Sequence, residues 1–115
     1  MGLPERIRAY LTALARRRGT IIYRDLANAL ELQPPNRIHQ LTDALEVLMQ
    51  EDRVNRAPFI AAMVVSKVHN GLPAPGFFSC ARSLGRFRGS DTGPETHVYH
   101  AGELQSAWDC WGSLD

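Results

Sequence analysis

The chain has 115 residues and a mass of 12.8 kDa, which is enough for one domain and too little for two ordinary hydrophobic cores. Hydrophobic residues make up 44% and charged residues 22%, which is typical of soluble globular proteins and disfavours disorder, collagen-like repeats and coiled coils. The 13 basic and 12 acidic residues give a formal net charge of +1, a total that by itself argues against a nucleic-acid partner.

The remaining counts narrow the class of protein further. The longest apolar run, Phe59 to Val65, is far shorter than the roughly 20 residues that a membrane-spanning helix needs. The segment from Met1 to Tyr10 has no apolar signal-peptide core, and the two cysteines, Cys80 and Cys110, match no metal or redox spacing. We therefore expect a cytoplasmic protein without a membrane span, a disulfide framework or a cofactor.

Apolar residues at helical spacing predict three helices in the first half of the chain. They cover Leu3–Arg18, Tyr23–Leu32 and Asn36–Arg53, with a short extended segment at Thr20–Ile22. The run Arg16–Arg18 fills the last turn of the first predicted helix, where positive charge suits the negative end of the helix dipole. Two consecutive prolines end the second helix, and an asparagine is a suitable N-cap for the third. The predicted core stripe of the third helix consists of Ile38, Leu41, Ala44, Leu45, Leu48 and Met49.

The second half is predicted to hold one strand and two helices. The apolar run Phe59–Lys67 has strand length and is expected to be buried on both faces. A loop with an Asn-Gly turn follows at His69–Gly76, and then a short helix at Phe77–Leu84. A polar linker, Arg88–Pro94, precedes the predicted C-terminal helix Pro94–Trp111. The apolar face of that helix is formed by Val98, Ala101, Leu104, Ala107, Trp108 and Trp111.

This order of elements is that of a winged helix-turn-helix. The predicted fold class is mainly α with a small β component, as a single winged helix-turn-helix-like domain with an added C-terminal helix. Residues 1–88 form the predicted winged-helix-like core, and residues 89–115 form a loop and a helix that pack on the same domain.

Two stretches resemble known families. The run GTIIYRDLANAL (Gly19–Leu30) resembles the C-terminal winged-helix domain of DNA alkyltransferase and alkyltransferase-like proteins. The Pro-Cys-His-Arg motif of that family is absent, and Ser66 or a neighbour stands where its cysteine would be, so the resemblance implies the fold without alkyl transfer. The stretch VVSKVHNGLPAPGFF (Val64–Phe78) is more similar to small bacterial winged-helix proteins of uncharacterised function.

In such a fold the third helix is the recognition helix. Its first turn carries Asn36, Arg37, His39 and Gln40, and these residue types suit base edges in the major groove, Arg pairing with guanine and Asn or Gln with adenine. Acidic residues such as Asp43 follow along the helix, where a phosphate backbone would pass or a partner protein could dock. An ordinary solvated face explains the same pattern.

The basic residues are distributed unevenly along the chain. Residues 59–88 contain Lys67, Arg82, Arg86 and Arg88 and no acidic residue, which makes these four side chains candidate phosphate contacts. Residues 89–115 contain five acidic residues and no Lys or Arg. Chance clustering, together with salt bridges to the acidic C-terminal helix, would account for this distribution equally well.

Two further clusters hold side chains capable of chemistry. His97, His100 and Glu103 recur every three residues, but no further ligand completes a metal site, so no metal is predicted. The segment Ser66–His69 lies where the predicted strand meets the loop, and we expect its side chains to fix the loop by hydrogen bonding. No nucleophile elbow, phosphate-binding loop or dinucleotide fingerprint occurs, so the protein is predicted not to be an enzyme.

The sequence thus predicts a non-enzymatic DNA-binding protein of the winged-helix type, acting as a transcriptional regulator on double-stranded DNA. One alternative stays open on the same fold: a protein-interaction module whose apolar contact is formed by Leu72–Phe78 and by the aromatic end Trp108–Trp111. A homodimer formed through the C-terminal helix is compatible with both.

Overall fold

The computed structural model describes residues 1–113, which are mostly helical. The α-helices are α1 (Leu3–Ala15), α2 (Tyr23–Ala29), α3 (Arg37–Val54), α4 (Pro75–Ser83) and α5 (Glu95–Trp111). Short 3-10 turns lie at Ile60–Met63 and Lys67–His69. The strands β1 (Ile21–Ile22) and β2 (Val64–Val65) pair in parallel, with Ile21 opposite Val64 and Ile22 opposite Val65. The predicted fold class, mainly α with a small β component, is confirmed at this level. Leu114 and Asp115, the end of the predicted 89–115 segment, lie outside the described residues.

The segment 59–64 forms the centre of the hydrophobic core. No residue from Phe59 to Val64 is more than 3% exposed, and α1, α3 and α5 all pack against the 3-10 turn within it. α1 contributes Ile7 and Leu11, which are four positions apart and therefore share one face of the helix. Burial of these apolar side chains provides the main favourable free energy of folding.

The predicted strand Phe59–Lys67 is wrong over most of its length. Only Val64–Val65 is a strand, and Ile60–Met63 is a 3-10 turn. The backbone N–H groups of Phe59 and Ile60 donate to the carboxylates of Glu103 and Asp52, at 2.7 and 3.0 Å, so side chains take the place of a neighbouring strand. After β2 the chain turns into a 3-10 turn and α4, and residues 66–113 contain no strand that could form an antiparallel hairpin with β2.

Two predicted helices extend less far than their apolar pattern suggested. α1 ends at Ala15, and Arg18 has a left-handed backbone (φ 51°), so the Arg16–Arg18 run lies in a turn beyond the helix. There Arg18 forms an ion pair with Asp109 of α5 at 2.7 Å. The positive charge of Arg18 therefore contributes to a tertiary contact and not only to the helix dipole. α2 ends at Ala29, although Leu32 in the connection is still buried.

The buried face of α5 also differs from the predicted one. Val98 is 78% exposed, whereas Thr96, His100 and Ala107 are buried. The inward face is partly polar because His100 bonds to the carbonyl oxygen of Ala62 at 2.8 Å, and a count of apolar positions does not detect such a face. Similarly Ile38, assigned to the core stripe of the third helix, is 45% exposed.

α5 is fixed to the rest of the molecule by its tryptophans. The indole N–H of Trp108 donates to the carbonyl oxygen of Gly19, and that of Trp111 donates to the carbonyl oxygen of Pro58, both at 3.0 Å. These bonds satisfy the polar edge of each ring while its apolar body is packed. Among residues 1–113, no helix combines the length and the apolar character that are needed to cross a membrane.

Candidate functional site

The turn between α2 and α3 is held by the side chain of Gln40. Its Nε2 donates to the carbonyl oxygens of Gln33 at 2.9 Å and Pro35 at 2.8 Å. Asn36, between them and α3, has a left-handed backbone (φ 62°), a conformation that Asn adopts more readily than most residues. Its side chain is exposed and makes no capping bond. Because both amide hydrogens of Gln40 are used within the turn, this residue shapes the start of α3 and has no amide donor left to present outward.

Arg37 and His39 differ in solvent exposure and in their contacts. Arg37 is half-buried, and its Nη2 donates to Oδ1 of Asn28 on α2 at 2.5 Å. The side chain of His39 is 74% exposed, with Nε2 at 3.3 Å from the carboxylate of Asp43 one turn along α3. The structure therefore places Arg37 against α2, while Asn36 and His39 face solvent.

The parallel strand pair brings two basic residues together that are distant in the sequence. Ile22 pairs with Val65, and Arg24 and Lys67 each follow a paired residue by two positions, at the same end of the strand pair. Both side chains are exposed, and both line a groove of about 360 Å³ that also contains Ile38 of α3. Arg24 was not among the residues predicted to bind DNA, because only the strand register connects it with Lys67.

A second depression continues this surface towards the start of α3. It shares Arg24 and Ile38 with the groove and extends to Asn36, Arg37 and His39. We define the α3 face as the part of this combined surface that is formed by Arg24, Asn36, Arg37, Ile38, His39, Lys67 and Val68.

Two acidic residues border the α3 face. Oδ1 of Asp25 lies 3.9 Å from Nε of Arg24, and Asp43 pairs with His39. Both pairs are largely exposed, where ion pairs contribute little. The first turn of α3 has no acidic residue and lies at the positive end of the helix dipole. The α3 face thus combines cationic side chains with a positive helix end, which the net charge of the chain does not reveal.

None of the other three predicted phosphate contacts, Arg82, Arg86 and Arg88, lines the α3 face. Arg86 donates to the carbonyl oxygen of Asp52, near the end of α3 opposite to Arg37. Asp52 and Arg37 are 15 positions apart, which corresponds to about 22 Å along an α-helix. The eight predicted residues therefore do not form one site.

The guanidinium of Arg86 contacts other parts of the chain. Its side chain is 21% exposed and donates to the carbonyl oxygen of Ala57 at 2.5 Å. Its guanidinium lies 4.4 Å from the centre of the Phe59 ring and 3.7 Å from the carboxylate of Glu103 on α5. These contacts join α5 to the chain after α3, which is a structural task.

Arg82 pairs with the loop that precedes α5. It donates to the carbonyl oxygen of Gly89 and forms an ion pair with Asp91. Hydrogen bonds from the Ser79 hydroxyl and from Arg82 hold the pKa of Asp91 below its ordinary value. Arg88, which follows in the sequence, is exposed to solvent. The predicted alternative, a salt bridge from the basic stretch to the acidic C-terminal helix, is thus present at Arg86, whereas Arg82 pairs with a loop residue before that helix.

The two clusters considered for chemistry are not assembled. His100 is buried against Ala62, Glu103 accepts the N–H of Phe59, and His97 is exposed. Among residues 1–113, no group of three or more His, Cys, Asp or Glu side chains is placed to hold a metal ion. At the Ser66–His69 segment the loop is closed by backbone bonds, with the Ser66 N–H donating to the Leu72 carbonyl oxygen at 2.7 Å.

The large apolar residues of the predicted protein-interaction surface are buried or half-buried. Phe77 is 6% and Phe78 1% exposed, and both belong to the core. Trp108 and Trp111 are partly buried and hydrogen-bonded as described above. These rings therefore support the fold.

No family model, curated protein or solved structure matches this chain.

Proposed function

We propose that this chain is a non-enzymatic DNA-binding module of the helix-turn-helix type, whose α3 enters the major groove of double-stranded DNA by its first turn. The observation that carries this proposal is the α3 face. There Arg24 and Lys67 line one groove, and Arg24 also lines the adjoining depression that contains Asn36, Arg37 and His39.

Arg24 and Lys67 are assigned to phosphates. Both are exposed cations, and both lie at the same end of the strand pair, so one backbone strand of DNA can meet them together. Phosphate contacts position a protein on the duplex and provide most of its sequence-independent affinity.

Asn36, Arg37 and His39 are assigned to base edges. N-terminal residues of a recognition helix contact bases, and Asn and Arg have the donor patterns that adenine and guanine accept. Arg37 must exchange its bond to Asn28 for a bond to a base, and because Asn28 is itself exposed, water can satisfy it after the exchange.

The finer architectural assignment is a winged helix in which the wing is reduced. This assignment is supported by the order of β1, α2, the turn and α3, and it makes the segment 66–71, whose Lys67 and Val68 line a groove with Ile38 of α3, the wing. In this proposal the module acts on DNA in the cytoplasm, as a transcriptional regulator.

The test is a salt titration of binding to a labelled duplex pool of random sequence, followed by fluorescence anisotropy. The logarithm of the association constant should fall linearly with the logarithm of the salt concentration. Arg24→Ala and Lys67→Ala should each reduce the slope by about 0.9, the value for one phosphate contact in duplex DNA. Arg88→Ala removes an equal charge from an exposed residue that does not line the α3 face and should leave the slope unchanged.

Two results would contradict the proposal. The first is a lack of binding to duplex DNA even at low salt. The second is a loss of slope in Arg88→Ala as large as in Lys67→Ala, because the contact would then not be centred on the α3 face.

A further inference from the structure

The α3 face contains two exposed apolar side chains between its cations. Ile38 is 45% and Val68 82% exposed, and both line the groove that Arg24 and Lys67 share. Exposed apolar side chains that are rimmed by polar residues, as Ile38 and Val68 are by Arg24 and Lys67, form the kind of surface that is found at interaction sites. Their presence is not explained by phosphate binding, which uses only cations and hydrogen-bond donors.

Most uncharged polar side chains that line this groove already form hydrogen bonds within the protein. The hydroxyl oxygen of Tyr23 accepts the backbone N–H of Ala74 at 3.0 Å, and burial raises the pKa of this phenol. The hydroxyl of Thr42 donates to the carbonyl oxygen of His39 at 3.1 Å. No acidic side chain lines the groove. What the groove offers to a ligand is therefore apolar surface at Ile38 and Val68, bordered by positive charge.

We infer that Ile38 and Val68 read a thymine by packing against its C5 methyl group. This inference rests on the proposed function and specifies it, because it names the base that the groove selects. The thymine methyl is the apolar group that a base pair presents in the major groove. Ile38 is the second residue of α3, directly beside Arg37, so a base contact by Arg37 brings Ile38 next to the edge of an adjacent base pair.

The size of the effect follows from the burial of one methyl group, which is worth about a fourfold change in affinity. Val68 lies on the 3-10 turn Lys67–His69 and lines the same groove as Ile38, and the neighbouring Lys67 contacts the DNA backbone in the proposed complex. The selection of thymine is thus coupled to the phosphate contact that positions the duplex.

The experiment begins with selection of duplexes from a random-sequence pool by the full chain. In the best duplex each thymine is replaced in turn by deoxyuridine, which removes only the C5 methyl group. We expect at least one replacement to weaken binding about fourfold in the wild-type protein. With Ile38→Ala or Val68→Ala, thymine and deoxyuridine at that position should bind alike, as a double-mutant cycle requires for a direct contact.

Val98→Ala is the matched control, since Val98 is an equally exposed apolar residue on α5, and it should keep the full penalty for deoxyuridine. Val68→Ala keeps the test valid if Ile38→Ala fails to fold, because Val68 is almost fully exposed. The inference is overturned if no thymine shows a penalty, or if the penalty persists undiminished in both variants. Salt-dependent binding that Lys67→Ala weakens, without any penalty for deoxyuridine, would leave the proposed function standing and remove this inference alone. A lack of any duplex binding would remove both.

Discussion

Arg8 of α1 extends to the buried carboxylate of Asp52 in the last turn of α3, with 2.9 Å between Nη1 and Oδ1. Asp52 is 1% exposed, and its second oxygen accepts the N–H of Ile60 at 3.0 Å. The guanidinium of Arg8 also lies 4.8 Å from the ring centre of Trp111 on α5. A negative charge at the C-terminal end of a helix opposes the helix dipole, so this carboxylate depends on its partners. The pair thereby connects α1, α3, α5 and the central segment.

Removing the positive charge of this pair should destabilise the protein strongly. Arg8→Met keeps an apolar stem over Trp111 and leaves Asp52 buried without its cation, which costs about 3 kcal/mol. Arg17→Met, in the exposed turn after α1, should change the free energy of unfolding by less than about 0.5 kcal/mol. Urea denaturation at neutral pH measures both. Equal effects of the two substitutions would show that the Arg8–Asp52 pair does not stabilise the fold.

The pH dependence of stability should reveal the burial of Asp52. Burial raises the pKa of this carboxyl above its ordinary value, against the opposing effects of the Ile60 N–H and of Arg8 and Arg86. The folded state therefore binds this proton more tightly than the unfolded state, and the contribution of Asp52 is greatest below pH 3.8 and declines as the pH rises through the raised pKa. Compared with Asp52→Asn, the wild type should lose stability over this range. Denaturation midpoints of both proteins across acidic pH test this, and a difference that grows in favour of the wild type as the pH rises would contradict it.

The helices were predictable from sequence because their periodicity is local. Leu41, Leu45 and Leu48 mark the buried face of α3 directly. The structure of the central segment, residues 59–64, was not predictable from sequence, because the N–H groups of Phe59 and Ile60 are satisfied by carboxylates from distant helices. A continuous apolar run is compatible with a strand or a buried turn, and only its hydrogen-bond partners distinguish the two.

His100 should make the protein less stable at mildly acidic pH. Its Nε2 donates to the Ala62 carbonyl oxygen, and burial, more than any neighbour, lowers its pKa below the ordinary 6.5. The unfolded state then binds the proton more tightly, so stability that is present above pH 6.5 is lost as the pH falls through the lowered pKa. His100→Gln retains an amide donor and does not titrate, so its stability should fall less on acidification. His97→Gln, on the exposed side of the same helix, is the matched control and should lose nearly as much stability as the wild type, because burial lowers the pKa of His100 more than the charge of His97 does. If His100→Gln loses as much stability as the wild type, the burial of the imidazole is not the cause.

The candidate site shows the same division between local and distant information. Asn36 and His39 were predictable because they start an evident helix and are exposed there. Arg24 was not, because its proximity to Lys67 depends on the register of a parallel strand pair. Arg86 has a basic side chain like the others, but carbonyl oxygens and a phenylalanine ring that come from elsewhere in the chain determine its role.

Arg86 therefore offers a test that separates a structural arginine from a phosphate contact. Arg86→Gln should lower the free energy of unfolding by about 2 kcal/mol, since it removes charge-assisted bonds to two carbonyl oxygens and the stacking on Phe59. The salt dependence of DNA binding, measured where the variant is folded, should keep the wild-type slope. An unchanged stability with a reduced slope would instead make Arg86 a phosphate contact, as the sequence predicts.

Gln40 tests whether the α2–α3 turn is held from within. Gln40→Glu keeps the size of the side chain but replaces both donors with an acceptor, which then faces the carbonyl oxygens of Gln33 and Pro35. The loss of two partly exposed hydrogen bonds should lower the free energy of unfolding by about 1–2 kcal/mol. Gln50→Glu adds the same charge on the exposed side of α3 and controls for it. Because the turn sets the direction in which α3 leaves it, Gln40→Glu should also weaken binding of all duplexes alike, whereas a direct base contact by Gln40 would weaken only those duplexes that carry its preferred base. Equal stability of the two glutamate variants would show that these bonds do not hold the turn.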